Sequence, residues 1–263
     1  MTSSAVFPEI AGRSAAPPVL RMCALETRYT FLSLLRLPHF SIATVGFPVM
    51  FYLLFGLSFG NSGSGPKASE YLLAGYAVFG VVTAALFALG AGVSTERASG
   101  WMLLKQAAPL PPWVYLMAKV ITCMIFGLVI VLSLAVLGIG LGGVRFTVRQ
   151  WLQLASVMVL GCVPFCLFGL ALGYVIPPTG APGILNLINL PLAFAGGLWL
   201  PYEMLPKLLQ RIAPFVPQYH MGRLALSSVG LVNDPILTHA AALAFFTVAG
   251  GLCAAAAYRR GEP

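Results

Sequence analysis

The stretch that decides the fold is VSTERASGWMLLKQAAPLPPWVYLMAK, which runs from Val93 to Lys119. It is the longest polar interruption between apolar runs in the first half of the chain, and its charges are Glu96, Arg97, Lys105 and Lys119. It contains a PLPP turn, and an apolar run lies on each side of it. A charged segment of this length predicts a short helix that stands clear of a lipid bilayer, where it can contact a partner.

The composition indicates an integral membrane protein. Of the 263 residues, 59% are hydrophobic and 8% are charged, and the mean hydropathy is +0.91. Soluble domains carry roughly 25% charged residues. The net charge of +8 comes from basic residues that lie beside apolar runs. Such residues orient membrane helices and contact anionic lipid headgroups, so membrane lipids are expected partners and nucleic acid is not.

The apolar runs predict an all-α protein with six transmembrane helices, because a helix needs roughly 20 apolar residues to cross a bilayer. The runs are Phe40 to Phe59, Tyr71 to Gly92, Val120 to Leu141, Trp151 to Val175, Gly183 to Leu200 and Ile236 to Tyr258. They form a single domain of residues 19–258, between a flexible tail of residues 1–18 and a short C-terminal tail of residues 259–263. Pro164 predicts a kink, and Gly169-x-x-x-Gly173 predicts a close helix approach.

Two polar segments flank this set of helices. Val19 to Leu37 is helical in character but too short and too charged to span, so it predicts an interfacial helix with snorkelling arginines. Between the fifth and sixth runs, four prolines divide the chain into short helices that lie in or dip into the interface; they are Pro201, Pro206, Pro214 and Pro217. Nine Lys and Arg residues fall on the side of the N-terminus and six on the opposite side. This bias predicts that both termini and the Val93 to Lys119 stretch are cytoplasmic, in a cell membrane.

Several motifs bear on other possible functions. The nearest approach to a phosphate-binding loop is Gly60 to Lys67, where Pro66 replaces the required lysine, so this chain is not expected to bind ATP by that route. Ser58 lies in a GxSxG pattern and His239 begins the last apolar run, which leaves an intramembrane serine protease of the rhomboid type as an alternative. An ion-gradient-driven carrier is a further alternative, although no acidic residue falls inside an apolar run.

Two polar side chains, Asn186 and Asn189, do fall within the fifth apolar run. Polar groups at membrane depth face protein or a cavity. They therefore predict either a hydrogen bond between helices or part of a substrate path. The five cysteines form no disulfide framework and bind no metal in this interpretation; Cys162 and Cys166, which share a helix face, are expected to be small buried hydrophobic residues.

The pattern Glu96-Arg97-x-x-Gly100, followed by Pro109-Leu110 and Lys119, resembles the permease subunits of type-2 ATP-binding-cassette (ABC) exporters. A second match follows the family's G…P…LP…P…Y…R pattern after the fifth run, at Gly197, Pro201, Leu205, Pro206, Pro217, Tyr219 and Arg223. The interfacial helix also resembles the connector helix of that family. The chain departs from the pattern at Ala98, where a second acidic residue is common, and at Trp101, where Thr is usual.

The resemblance implies a division of labour. The chain would be a permease subunit and not an enzyme, without a cofactor of its own, and two copies of a separate ATPase subunit would hydrolyse ATP. It would pair with an identical or a sister permease. The segment after the second span would be the coupling helix that docks on the ATPase, with Glu96, Arg97, Gly100, Trp101 and Lys105 in the contact. The expected substrate is amphipathic, drug-like or linked to a lipid or glycan.

Overall fold

The computed structural model describes residues 18–58, 66–101 and 111–261, and over these residues the chain is helical and contains no strand. Four of the described helices are long and apolar enough to cross a membrane: Ala68–Ala98, Trp113–Gly140, Val148–Val175 and Ile236–Arg259. Two shorter apolar helices are Thr44–Gly56 and Ala181–Ala195.

The described residues form ten main helical elements. They are α1 (Val19–Leu35); α2 (Pro38–Ser41, the π-helical turns Ile42–Gly46 and Tyr52–Gly56, and Phe47–Phe51 between them); α3 (Pro66–Ala85, the π-helical turn Leu86–Ala91 and Gly92–Ala98); α4 (Pro112–Gly140); α5 (Val148–Gly161); α6 (Val163–Val175); α7 (Ala181–Ala195); α8 (Lys207–Ile212); α9 (Pro217–Ser228); and α10 (Ile236–Gly261). Short 3₁₀ turns at Tyr202–Met204 and Ala213–Phe215 flank α8.

Helix α3 is the centre of the molecule. Its most apolar stretch is entirely buried, whereas the corresponding stretches of the other three long helices are 39%, 56% and 17% buried. Small residues permit this burial because they let other backbones come close. A Cβ atom at Gly75 would lie 1.9 Å from the carbonyl oxygen of Leu198, so only glycine fits there. The other helices therefore pack around α3.

Helix α6 packs directly against the π-helical turn of α3. A Cβ atom at Gly173 would lie 2.7 Å from the carbonyl oxygen of Leu89, and one at Gly169 would lie 3.0 Å from that of Ala85. The close approach predicted from Gly169-x-x-x-Gly173 is thus confirmed. The helix is interrupted at Cys162, between α5 and α6 and two residues before Pro164, where the sequence predicts a kink.

The six-span prediction is not confirmed for the first and fifth spans. The apolar helix within the first run covers Thr44–Gly56, and α7 ends at Ala195 instead of continuing to Leu200. Helix α7 ends there because the chain turns at Gly197, whose φ is +71°. Its 15 residues rise about 22 Å, less than the roughly 30 Å thickness of the hydrocarbon core.

The polar stretch also differs from the prediction, since much of it lies within helices. Helix α3 continues to Ala98, so Glu96 and Arg97 occupy its last turns, and Lys119 lies about two turns into α4. The charges still lie outside the apolar runs, but the helices extend beyond those runs and include Glu96, Arg97 and Lys119. Long-range contacts extend these helices past their apolar runs: the hydroxyl of Ser94 donates to the carbonyl oxygen of Ile176 at 2.6 Å.

The short helices before α2 and after α7 follow the sequence more closely. Helix α1 packs along α4, with the rings of Phe31 and Phe126 4.9 Å apart. After α7 the chain forms short helices, as predicted, and Pro217 occupies the first turn of α9, where its missing N–H costs nothing. The predicted tail of residues 1–18 lies outside the described residues except for Pro18.

Candidate functional site

Two groups of charged residues lie at opposite ends of α3. The helix Ala68–Ala98 has 31 residues and rises about 45 Å. We call the group at its C-terminal end the Glu96 cluster (Glu96, Arg97, Tyr115 and Lys119). We call the group near its N-terminal end the Arg223 cluster (Glu203, His220, Arg223, Asp234 and His239).

In the Glu96 cluster, an ion pair joins α3 to α4. The Nζ atom of Lys119 donates to Oε1 of Glu96 at 2.9 Å, and the hydroxyl of Tyr115 donates to the other carboxylate oxygen. The Lys119 side chain is 4% exposed and that of Glu96 is 25% exposed. A buried ammonium group is costly unless it is paired with a counter-charge. Glu96 supplies the counter-charge for Lys119, and the ion pair holds the Glu96 side chain in place.

The neighbouring residue, Arg97, joins α3 to α6. Its guanidinium donates to the carbonyl oxygens of Gly173, at 3.2 Å, and of Tyr174, and lies 5.5 Å from the centre of the Tyr174 ring. These carbonyl groups belong to the last turn of α6. The carbonyl oxygens in the last turn of a helix have no N–H donor within the helix, and their partial negative charge attracts a cation. Two consecutive residues thus attach the end of α3 to α4 and to α6. Sequence analysis selected Glu96 and Arg97 but did not find these partners.

Helix α3 stops immediately after these contacts. Gly100 has φ +70°, a backbone conformation that favours glycine, and it forms the turn that ends the helix. A Cβ atom at this position would meet nothing within 4 Å, so glycine is not required there for close packing. The next side chain, Trp101, is 50% exposed. Lys105, the last of the five residues predicted to contact the ATPase, lies outside the described residues.

An open cavity of about 490 Å³ adjoins the Glu96 cluster, between α1, α3 and the beginning of α7. Its polar lining includes Glu26, Thr30, Thr95, Glu96 and Lys119, and its apolar lining includes Phe40, Phe87, Pro178 and Pro182. A cavity with a charged side and an apolar side has the chemical character to accept an amphipathic molecule.

The two asparagines of α7 are placed differently. Asn189 is fully buried, and its Nδ2 donates to the Thr83 hydroxyl at 3.0 Å, which ties α7 to α3. This contact is the helix-to-helix hydrogen bond that was one of the two predictions for these residues. Its Oδ1 has no partner among the described residues. Asn186 is half-buried on the same helix.

The second sequence motif gathers at the other end of α3. Tyr71 of α3 donates to the carbonyl oxygens of Gly197 and of Leu200, the latter at 3.0 Å. Leu205 is buried, whereas Pro206 is exposed and Pro201 and Pro217 are half-buried. The rings of Tyr202 and Tyr219 lie 5.3 Å apart. The residues of this motif therefore form a turn and short helices that cover the N-terminal end of α3.

Arg223 is the charged centre of this motif. Its Nε donates to Oδ2 of Asp234, and its guanidinium lies 3.6 Å from a carboxylate oxygen of Glu203. The hydrogen bond from Arg223 lowers the pKa of Asp234 from its usual value, because it stabilises the ionised carboxylate. Sequence analysis selected Arg223 through the motif but did not find Asp234 as its partner.

The residues of the protease alternative have other partners in the structure. The hydroxyl of Ser58 donates to the carbonyl oxygen of Leu54 in its own helix. The ring nitrogens of His239 contact His220 and Asp234. All five cysteines are free, and Cys162 and Cys166 are fully buried, as the sequence predicts.

These features define a class: a multi-helical membrane protein built around one buried helix, whose charged end leads into a segment between two membrane helices. The chain belongs to the ABC-2 type transporter family, whose model matches residues 23–229. It is also 27% identical, over 189 residues, to the Bacillus subtilis (strain 168) protein named "Putative transport permease YvfS". That match covers 72% of this chain and 77% of the relative. The resemblance found in the sequence is confirmed, and the chain is a transport permease.

Proposed function

We propose that this chain is the permease subunit of an ABC exporter and moves an amphipathic, drug-like or lipid- or glycan-linked substrate across the cell membrane. ATP would be hydrolysed by two copies of a separate ATPase subunit. Both termini and the end of α3 at Glu96 would face the cytoplasm, with α1 as the connector helix at the membrane surface. The Arg223 cluster would lie at the outer side.

The observation that carries this proposal is the attachment of α3 to its neighbours. Glu96 and Arg97 bind α4 and α6 at the point where α3 passes into the segment of residues 99–111. A force applied to that segment by a partner would therefore act on three helices together. Since α3 is the buried helix, its displacement would change the packing of the whole molecule.

Within the coupling segment, the contacts suggest two roles. Glu96 and Arg97 use their charged groups on partners inside the chain, so we propose that they hold the segment in position beside the ATPase. Trp101 is half exposed, and together with Lys105 it would make the direct contact. An exposed tryptophan is a residue type that contributes strongly to binding interfaces.

The substrate and the second permease would use the remaining surfaces. The cavity beside Glu96 has the mixed lining that an amphipathic substrate needs, and Asn186 would lie along the path beyond it. The apolar part of α2, Thr44–Gly56, and α7 are short for a span, and they expose large apolar side chains such as Phe47, Met50 and Leu187. We propose that an identical or a sister permease packs on these two helices, which would complete the pathway between two copies.

The role of Trp101 can be tested by substitution. Trp101→Ala is expected to weaken binding of the ATPase subunit at least about 30-fold, while the permease remains folded and inserted. Phe215→Ala is the matched control, because Phe215 is an exposed aromatic residue at the opposite end of the molecule. Binding is measured with the purified permease in nanodiscs and the ATPase subunit that co-purifies with it. Equal binding by both variants and the wild type would remove Trp101 from the contact.

A further inference from the structure

Two buried histidines face each other where α9 meets α10. The Nδ1 atoms of His220 and His239 are 2.9 Å apart, and the residues are 7% and 6% exposed. The other ring nitrogen of each histidine is also in contact. Nε2 of His220 lies 2.8 Å from the carbonyl oxygen of Pro214, and Nε2 of His239 lies 3.4 Å from Oδ2 of Asp234.

These partners indicate how many protons the pair holds. A carbonyl oxygen only accepts hydrogen bonds, so Nε2 of His220 carries a hydrogen. Nε2 of His239 faces a carboxylate oxygen at 3.4 Å, and that negative charge favours a hydrogen on this nitrogen as well. A hydrogen bond between the two Nδ1 atoms requires one hydrogen more. The contacts are satisfied when the four ring nitrogens carry three hydrogens. Two neutral imidazoles carry only two, so the carboxylate beside His239 favours one additional proton on the pair.

We propose that His220 and His239 form a single proton-binding site, and that its occupancy fastens the first turn of α10 to α9 and to residues 229–235. When the proton is lost, two lone pairs face each other across 2.9 Å, or Nε2 of His239 presents a lone pair to the Asp234 carboxylate. Either arrangement is repulsive, so the contact between α9 and α10 loosens. The site therefore makes the contact between α9 and the first turn of α10 sensitive to pH.

The charges around the pair favour one bound proton. Asp234 and Glu203 are negative, and Arg223 is positive. With one proton on the pair the cluster is neutral, and without it the cluster carries a net negative charge. Three tyrosines lie beside the Arg223 cluster. They are Tyr71 of α3, Tyr202 of the 3₁₀ turn and Tyr219, and the ring of Tyr219 lies 5.8 Å from that of His239. Helix α5, which also packs on α9, contributes Arg149, whose side chain is exposed.

The spacing suits a proton better than a metal ion. A zinc ion bound by both Nδ1 atoms would need each Zn–N distance to be roughly 2.0–2.1 Å, which separates two tetrahedral ligand atoms by more than 3 Å. The observed 2.9 Å is the length of an N–H···N hydrogen bond. Among the described residues, no group of three or more His, Cys, Asp or Glu side chains could hold a metal.

The proton count can be measured directly, because the chain contains only three histidines. In a His39→Gln variant labelled with ¹⁵N-histidine and reconstituted in liposomes, every ring-nitrogen signal comes from the pair. Solid-state NMR is expected to show one unprotonated nitrogen in four at low pH and two in four at high pH, with the change between about pH 5 and 8. Two unprotonated nitrogens in four across this whole range would overturn the proposal.

The pH dependence of the contact between α9 and α10 is tested by hydrogen exchange of the same reconstituted protein. Amide protection at the start of α10 is expected to fall as pH rises through the transition, by up to about tenfold per pH unit after correction for the intrinsic rate. In His220→Gln and His239→Gln the protection should depend on pH no more than it does in the centre of α4, which serves as the internal reference. A pH dependence that persists unchanged in both variants would show that another group is responsible.

Discussion

At the scale of single residues, Lys119 shows how one charge organises its surroundings. It is the last residue of the polar stretch that the sequence predicts to stand clear of the bilayer, but its side chain is nearly completely buried. An ammonium group in that position needs a counter-charge, and Glu96 of α3 supplies it with a second hydrogen bond from Tyr115. Sequence spacing could not reveal this pair, because its two members are 23 positions apart on different helices.

Removing one member of the pair is expected to cost more than removing both. Lys119→Met leaves the Glu96 carboxylate without its counter-charge and should destabilise the protein by roughly 3 kcal/mol, the low end for a buried pair because Glu96 is partly exposed. The double variant Lys119→Met with Glu96→Gln should recover most of that loss. Thermal unfolding in detergent of both single variants and the double variant measures the coupling. Additive effects would show that the two charges do not depend on each other.

At the scale of helices, the sequence predicts most elements and misses their ends. The long apolar runs, the interruption beside Pro164, the close approach at Gly173 and the short helices after α7 all follow from local composition. The ends do not, because they depend on partners far away in sequence. Arg97 extends α3 by binding carbonyl groups of α6, and the turn at Gly197 shortens α7, where the apolar run continues to Leu200.

The close packing of α6 on α3 predicts a position-specific effect of adding one methyl group. In Gly173→Ala the new Cβ would meet backbone oxygens of Leu89 and Gly90 at 2.7 and 2.9 Å, which cannot move independently of α3. We expect a destabilisation of about 1–3 kcal/mol, measured by thermal unfolding. Gly183→Ala in α7 is the control, since its Cβ would meet nothing within 4 Å and helix propensity favours alanine. Equal stability of the two variants would contradict the packing.

At the scale of the whole molecule, the two charged clusters face opposite sides of the membrane if α3 crosses it. Single cysteines at Ser64 and Arg145, in a variant without reactive native cysteines, are expected to react with an impermeant thiol reagent on intact cells. A cysteine at Ser99 should not react. Ser99 and Arg145 are exposed, and Ser64 lies outside the described residues. Only Cys253 among the native cysteines is exposed, so it is the first to be replaced. Labelling at Ser99 from outside would reverse the orientation.

The most direct test of the proposed division of labour is ATP hydrolysis by the purified components. The permease alone in nanodiscs is expected to hydrolyse no more ATP than empty nanodiscs, because the segment nearest to a phosphate-binding loop has Pro66 in place of lysine. The complex with the ATPase subunit should hydrolyse ATP, and a substitution in the phosphate-binding loop of that subunit should abolish the activity. ATP hydrolysis by the permease alone, at a rate that the ATPase subunit does not change, would contradict the proposal.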